Sequence, residues 1–252
     1  MELYNYPKYS SPFKAGEYYF FYKNDGLQNQ SVIYIQKGLD GEPEVFIDPN
    51  QLSPDGTIRI NIAGISNDDK YVTVMRSEAG SDWREIRVMD IAAKKELDDR
   101  IQWVKFSGTS WYKDGFFYNR YSEPTDEDKL KAQNRDMKVY YHKLGQPQEQ
   151  DTLIYEDPEN PLRTFSAYAT EDERYLFLIV SEGTSGNELY FKDLRKTDMD
   201  FSPIVTGFDN DTYPVDNIDD HVLLYTNIDA PNYQVVRIDP QNPAKENWKT
   251  VI

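Results

Sequence analysis

The sequence predicts an all-β fold, specifically a β-propeller built from four-stranded antiparallel blades. Its 252 residues include 20 Tyr, 12 Phe and 4 Trp, which favour strands, and 13 Gly and 14 Pro, which favour turns. Short runs alternate apolar and polar side chains, which is the period-two pattern of half-buried strands. These runs also recur at a nearly constant spacing, which is typical of repeat architectures.

The spacing is clearest in five runs that start at residues 31, 84, 138, 188 and 234 and are therefore 46 to 54 residues apart. Each run follows another apolar run, and most of these pairs begin with a turn that contains Asp, Glu or Gly. Further candidate strands lie before and after each pair, which gives four strands in every unit. The predicted strands are 9–13, 18–22, 31–36 and 44–48; 58–64, 71–75, 84–91 and 94–97; 104–111, 116–118, 138–144 and 152–155; 164–169, 175–180, 188–194 and 202–206; and 213–218, 222–225, 234–239 and 248–252.

One four-stranded sheet of this size cannot bury both of its faces, whereas sheets stacked around an axis bury them against one another. We therefore predict one undivided domain of about five blades. The blades cover approximately residues 4–53, 54–98, 99–157, 158–208 and 209–252. Residues 125–138 interrupt the pattern with charged residues and helix formers, which predicts a flexible loop or a short helix.

Charge and composition exclude several classes of function. The formal charge of −16 disfavours binding to nucleic-acid phosphates, which requires Lys and Arg patches. No apolar run approaches the roughly 18 residues of a membrane span, so we expect no membrane partner. The first residues do not resemble a signal peptide. The absence of cysteine excludes disulfides and thiolate sites but leaves the cytoplasm and the periplasm equally open.

No catalytic group or cofactor site is predicted from the residues themselves. The segment Gly183-Thr184-Ser185-Gly186-Asn187 lacks the spacing of a nucleophile elbow and is interpreted as a turn. The two histidines, His142 and His221, are expected in structural or surface roles, and they do not predict a zinc site. The acidic segment 209–220 lacks the glycine of an EF-hand loop, and calcium binding there stays open. We expect no other metal and no cofactor.

These observations favour a propeller that binds or gates rather than one that catalyses. Two alternatives remain open. The chain could be a free-standing propeller that serves as a protein-interaction module. It could also be a five-bladed propeller glycosidase that uses paired carboxylates, although carboxylates are so abundant here that pairs arise by chance.

Several motifs carry a more specific signal. They are YPKYS at 6–10, GLQNQSV at 26–32, FIDPNQLS at 46–53, GSDW at 80–83, VKFS at 104–107, KVYYHKLG at 138–145 and PNY at 231–233. Together they resemble the N-terminal propeller of the prolyl oligopeptidases, the S9 family of serine peptidases. The resemblance extends over essentially the whole chain.

The resemblance implies a seven-bladed propeller that caps an α/β-hydrolase domain with a Ser-Asp-His triad and cleaves short peptides after proline. The chain is then expected to be an inactive fragment of about five blades that filters substrates without catalysing. Its partners would be its own α/β-hydrolase domain and oligopeptide substrates. A propeller with five of seven blades exposes the faces of its first and last sheets, so we expect an open arc or self-association.

The resemblance also implies site residues. Phe106, in the VKFS motif, corresponds to an aromatic residue that lines a substrate pocket; a core aromatic is the alternative. Ser181 and Thr184 lie where the family often has Arg and Cys, and Thr164 lies where Met is usual, so the same pocket is expected to be altered in polarity and charge. Asp82 corresponds to a position near the domain interface, and we expect it to form an interdomain latch.

Overall fold

The computed structural model describes residues 5–53, 55–125, 134–196 and 200–252, and almost all of its regular structure is β. The chain divides into two compact units, residues 1–105 and 106–252. The division falls inside the VKFS motif, where the sequence has no linker composition. Each unit is built from antiparallel sheets in which consecutive strands are neighbours, except at the start of the first sheet.

Unit 1 contains two sheets. The first comprises β1 (Lys8–Tyr9), β2 (Phe13–Ala15), β3 (Tyr18–Asn24), β4 (Val32–Lys37) and β5 (Glu44–Ile47), and both β1 and β2 pair with β3. A one-turn helix, α1 (Pro49–Leu52), follows with Asp48 as its N-cap. The second sheet comprises β6 (Ile58–Ile65), β7 (Tyr71–Glu78), β8 (Arg84–Asp90) and β9 (Lys95–Val104).

Unit 2 contains three sheets of four strands. The third sheet of the chain comprises β10 (Ser110–Tyr112), β11 (Gly115–Arg120), β12 (Lys138–Lys143) and β13 (Thr152–Tyr155). The fourth comprises β14 (Thr164–Ala169), β15 (Tyr175–Ser181), β16 (Glu188–Asp193) and β17 (Ser202–Val205). The fifth comprises β18 (Thr212–Ile218), β19 (His221–Thr226), β20 (Gln234–Ile238) and β21 (Lys249–Thr250).

Apolar side chains of neighbouring sheets pack against each other within each unit. In unit 1, Phe20 and Ile33 of the first sheet share a core with Val72 and Val74 of the second. In unit 2, the fourth sheet packs on the fifth through residues that include Phe177 and Leu224. Burying a side chain of this size stabilises a fold by about 1.5–3 kcal/mol, so the face-to-face stacking of sheets supplies the main driving force.

The turn between the first two strands of a sheet repeats in detail. In the second sheet, the Ser66 hydroxyl donates to Asp68 at 2.8 Å and accepts from the Tyr71 N–H at 2.9 Å. In the fourth sheet, the Thr170 hydroxyl donates to Asp172 at 2.7 Å and accepts from the Tyr175 N–H at 3.0 Å. The recurrence shows that the units repeat turn chemistry as well as strand alternation.

The predicted all-β class with four-stranded antiparallel blades is confirmed, and most strand bounds agree within two residues. Predicted strand 9–13 is split into β1 and β2 around Pro12, which has no N–H to donate to a ladder. β9 continues to Val104 because Val104 pairs with Arg84, so the third sheet begins later than residue 99. Predicted strand 104–111 is correspondingly shortened to β10.

Most of the acidic segment 209–220 is β18, which agrees with the predicted strand 213–218 and separates Asp209 from Asp219 at its two ends. Residues 126–133 of the interrupted segment 125–138 lie outside the described residues, and its described flanks are not helical.

Candidate functional site

The predicted site residues of unit 2 lie at one edge of its third and fourth sheets, which we call the loop edge. This edge is where the second strand of a sheet ends and the third begins. Antiparallel pairing brings the connections at this edge together because β11 and β15 both run toward it. The described segments of the loop edge are 106–109, 121–125, 134–137, 156–163 and 182–187.

Thr164 and Ser181 are direct cross-strand neighbours at this edge. Thr164 begins β14, Ser181 ends β15, and the two residues pair in the ladder. The Thr164 hydroxyl lies 3.5 Å from the Ser181 carbonyl oxygen. Thr184 follows in the exposed connection to β16. The structure therefore brings two of these predicted residues together and places the third on the adjoining loop.

Phe106 is a surface residue and not a core aromatic. Its side chain is 61% exposed, and its backbone has a left-handed φ of 51°. Bulky residues rarely adopt this conformation, so surrounding contacts must hold it. Asn119 supplies them: its Nδ2 lies 3.4 Å from the Phe106 carbonyl, and its backbone N–H donates to the Ser107 hydroxyl at 3.0 Å.

A buried polar link connects the Phe106 loop with the start of β14. The Asn119 amide also lies 3.3 Å from the Met137 sulfur, and the Phe165 N–H points at the same sulfur from 3.1 Å. Asn119 and Met137 are both 2% exposed. Because Phe165 follows Thr164, this link sets the position of Phe106 relative to the Thr164–Ser181 pair.

Arg163 adds a charged group beside these residues. Its guanidinium donates to Glu182 at 2.8 and 2.7 Å and to Asp157 at 3.2 Å. Partial burial opposes the charge, but the hydrogen bonds that Arg163 donates to Glu182 and Asp157 outweigh it and raise the pKa of Arg163. The guanidinium also lies over the Phe208 ring. An adjoining cavity of about 440 Å³ is lined by Arg163, Glu182 and the 159–162 loop, together with Arg135.

Asp82 lies in unit 1 and is not part of this cluster. It is exposed in the 79–83 connection between β7 and β8. Ala79 and Gly80 turn the chain with left-handed φ angles of 51° and 71°, and the Ser81 hydroxyl accepts the Trp83 N–H at 3.1 Å. The loop therefore presents Asp82 to solvent from a fixed turn.

The histidines occupy the structural and surface positions that the sequence predicts. His142 is 0% exposed, and its Nδ1 lies 2.7 Å from Asp151, whose second oxygen accepts the Tyr118 hydroxyl at 2.7 Å. Burial, followed by the Asp151 charge, raises the pKa of Tyr118 far above its usual range. A peptide cannot reach this enclosed group. His221 begins β19 and is exposed.

The carboxylates of segment 209–220 are distributed along β18 rather than gathered. Asp211 accepts the Gly186 N–H at 2.8 Å and the Tyr233 hydroxyl at 2.6 Å, whereas Asp220 pairs with Arg174 at the other end of the strand. In the parts of the chain that the structure describes, no group of three or more carboxylates or imidazoles is arranged for a metal ion.

Sequence reasoning missed Asn119, Met137 and Arg163. Asn119 left one signal, because it follows directly on the apolar run Phe116-Phe117-Tyr118, one residue beyond the predicted strand 116–118 and inside β11 of the structure. A polar residue inside a strand that is otherwise buried usually serves a specific hydrogen bond. Met137 and Arg163 left no comparable signal, since Asn119, Phe165 and Glu182, their partners across the loop edge, lie 18 or more residues away.

The whole chain is similar to one group of known proteins. A model of the family "Prolyl oligopeptidase, N-terminal beta-propeller domain" matches residues 1–252. A prolyl endopeptidase of Elizabethkingia miricola is 46% identical over 253 residues, which cover 100% of this chain and 36% of that protein. Prolyl oligopeptidase A of Amanita bisporigera is 34% identical, with coverages of 95% and 36%. The chain thus spans about a third of the length of these relatives.

Solved structures agree. Prolyl oligopeptidase B from Galerina marginata, bound to a 35mer hydrolysis and macrocyclization substrate, superposes with a TM-score of 0.84 at 29% identity, covering 98% of this chain and 38% of that one. The predicted propeller fold is confirmed by this match. No helix in the described ranges has the length and apolar character needed to cross a membrane.

Proposed function

The chain belongs to the prolyl oligopeptidase family, as an N-terminal β-propeller domain, and on this premise we propose that it is the non-catalytic substrate filter of a serine peptidase. The intact peptidase cleaves oligopeptides after proline. The partners of the chain are an α/β-hydrolase domain and the peptide that this domain cleaves. The propeller restricts which substrates reach the nucleophile and adds contacts of its own.

The exposed Phe106 at the loop edge carries this proposal. A large aromatic side chain held outside the core loses the free energy of burial unless something covers it. The left-handed backbone of Phe106, which Asn119 holds in place, adds to that cost. Covering by an apolar residue of a peptide substrate accounts for both features, because a rigid aromatic contact is formed at low entropic cost.

The polar neighbours give this contact its specificity. Thr164, Ser181 and Thr184 offer small hydroxyls along the same edge, and Arg163 offers a charge that is already paired with Glu182. We expect the edge to accept peptides by one apolar contact and a few weak hydrogen bonds. Such an edge adds to binding energy without performing chemistry.

Activity assays test this function directly. A fluorogenic peptide that releases its reporter after proline is incubated with this chain alone and with the intact peptidase that carries it. We expect no turnover by the chain alone and turnover by the intact protein. Turnover by the chain alone would refute a non-catalytic role. Hydrolysis of a glycoside panel by the chain would instead support the glycosidase alternative.

Asp82 is proposed as a latch to the α/β-hydrolase domain. Its carboxylate lies exposed on a turn fixed by Ala79, Gly80 and Ser81, which is suitable for reversible pairing with a cation on a facing domain. In the intact protein, Asp82→Ala should speed opening between the domains, measured by stopped-flow fluorescence between labels on each. An unchanged opening rate would exclude the latch.

Self-association also stays a prediction. Tyr213 and Tyr225 are paired neighbours on the fifth sheet and are each 42% exposed. Sedimentation velocity across a hundredfold range of protein concentration measures the self-association of the chain. A sedimentation coefficient that does not change with concentration would argue against it.

A further inference from the structure

A cavity of unit 1, beside the loop that carries Asp82, combines arginine side chains with two tryptophans, and the substrate contacts proposed above do not use it. The cavity has a volume of about 280 Å³. It lies along β7, β8 and β9. It is lined by four arginines, two tryptophans and two carboxylates, namely Arg76, Arg84, Arg87, Arg100, Trp83, Trp103, Glu78 and Glu85, together with Ser81 and Gln102.

A β-bulge builds the aromatic wall of this cavity. Arg84 pairs with Val104 and Ile86 pairs with Ile101, so Gln102 and Trp103 together oppose a single residue of β8. Bulges redirect side chains, and Trp103 has a left-handed φ of 62° that a bulky residue seldom adopts. As a result its ring packs edge-on against Trp83, with centroids 5.9 Å apart.

Positive charge is in excess at this cavity although the chain as a whole carries −16. Glu85 is already occupied, because it pairs with both Arg87 and Arg100. Arg76 reaches Glu78 only at 3.9 Å. Among the residues that the structure describes, Arg84 pairs with no carboxylate, and its Nη1 contacts the Met75 sulfur at 3.9 Å.

Lys105 adds to this environment from the side of the tryptophans. Its ammonium lies 4.1 Å from the centre of the Trp83 ring, and the residue is 9% exposed. Lys105 thus holds the Trp83 ring from outside the cavity, while the Arg84 guanidinium inside it favours an incoming anion. The flat indole walls favour a ligand that is planar or compact.

We propose that this cavity binds an oxyanion, with Arg84 as the main donor, Arg76 as a second donor, and Trp83 and Trp103 as its walls. The ligand carries a phosphate or a carboxylate group, because both match the two parallel N–H donors of a guanidinium. This site is independent of peptide cleavage. Its test therefore does not require peptidase activity.

Tryptophan fluorescence offers a direct readout, since two of the four tryptophans of the chain line the cavity. The whole chain is titrated with pyrophosphate and, separately, with citrate, while chloride keeps the ionic strength constant. We expect a saturable change with at least one of the two anions. The stronger of the two identifies phosphate or carboxylate as the preferred group.

Variants locate the binding. Arg84→Ala should weaken it about tenfold or more, as loss of a charge-assisted hydrogen-bond pair does. Arg84→Lys keeps the charge but loses the fork, and should recover only part of the affinity. The matched control is Arg237→Ala, at an exposed arginine on β20 of unit 2, which should leave binding unchanged.

Three results would overturn the proposal. The first is a response to both anions that never saturates, which indicates general ionic screening. The second is an equal loss of affinity in Arg84→Ala and Arg237→Ala. The third is an unchanged affinity in Arg84→Ala and Arg76→Ala. Circular dichroism of each variant confirms that a lost signal reflects binding and not unfolding.

Discussion

Asn187 and Thr212 exchange two hydrogen bonds between the fourth and fifth sheets. The Asn187 Nδ2 donates to the Thr212 carbonyl at 2.8 Å, and the Thr212 N–H donates to Asn187 Oδ1 at 2.8 Å. Both residues are buried, at 1% and 0% exposure. The side chain of Asn187 thus extends a backbone ladder across a junction between sheets.

Asn187→Ala should therefore destabilise unit 2 strongly. Removing the amide leaves a buried N–H and a buried carbonyl without these partners, which costs about 2–4 kcal/mol in the free energy of unfolding. Urea unfolding followed by fluorescence measures the change. The control is Asn247→Ala, at an exposed asparagine, which should change stability by less than about 0.5 kcal/mol. Equal effects of the two variants would contradict this account of the junction.

Two glycines of one loop should respond in opposite ways to substitution by alanine. Gly186 has a φ of 74°, and a Cβ there would lie 1.7 Å from the Phe208 carbonyl oxygen. Gly186→Ala should cost at least about 2 kcal/mol of stability, because strain and backbone displacement add. A Cβ at Gly183 meets nothing within 4 Å, so Gly183→Ala should be neutral or stabilise by about 0.5 kcal/mol. Thermal unfolding compares them, and a neutral Gly186→Ala would show that the loop is free to move.

Asp151 should be essential to the third sheet. Its carboxylate accepts from Tyr118 and binds His142, and the His142 and Asp151 side chains are fully buried. Asp151→Ala removes one buried hydrogen bond from each of the two partners, Tyr118 and His142, and should cost about 3 kcal/mol. Glu149→Ala, at an exposed neighbour, should cost less than about 0.5 kcal/mol. Chemical denaturation tests the pair, and similar midpoints for the two variants would exclude a structural role for the buried group.

Asp211 should make stability fall in acid. Hydrogen bonds from the Tyr233 hydroxyl and the Gly186 N–H hold the pKa of Asp211 below its ordinary 3.8. A carboxyl whose pKa is lowered by folding contributes its stability fully above the unfolded value, and this contribution is lost as pH falls through the folded value. Asp211→Asn should therefore flatten the decline of the melting temperature below about pH 4. Asp209→Asn, at an exposed neighbour, is the control, and a flattening of the same size there would contradict the assignment to Asp211.

Phe106 should matter for substrate use more than for stability. In the intact peptidase, Phe106→Ala should lower kcat/KM for a proline-containing oligopeptide about tenfold through KM, because an exposed aromatic contact is lost. The melting temperature should change little, since the side chain is 61% exposed. Leu39→Ala, at a leucine 75% exposed in unit 1, is the control. Unchanged kinetics in Phe106→Ala would remove Phe106 from the substrate site.

Much of the fold could be predicted because it depends on local patterns. Alternation located β8 and β16, and Asp- and Gly-rich turns located the connections between strands. The predicted ends of strands were wrong where pairing with a neighbouring strand continued beyond the segment of alternating apolar and polar residues. β9 continues to Val104 only because β8 offers a partner there. The resemblance identified the family because its motifs are spread over the whole chain, and the family model matches residues 1–252.

The site was only partly accessible from sequence. The motif that contains Phe106 implies a substrate-contact role that stays a prediction. The position of Phe106 depends on Asn119, Met137 and Phe165, which come from three separate segments. The contact of Trp103 with Trp83 depends on a β-bulge that no local sequence pattern predicts. Side chains that meet from separate strands and loops follow no common sequence period, so a periodic pattern cannot predict their contact.

The sequence by itself determined the all-β class, the repeat of about 50 residues and the family, since strand alternation and turn chemistry act between near neighbours. Tertiary structure alone decided which side chains meet: Asn187 with Thr212, His142 with Asp151, and the arginines with the tryptophans of unit 1. The physical reason is that hydrogen bonds and ion pairs depend on distances below about 3.5 Å, which the register and stacking of whole sheets set.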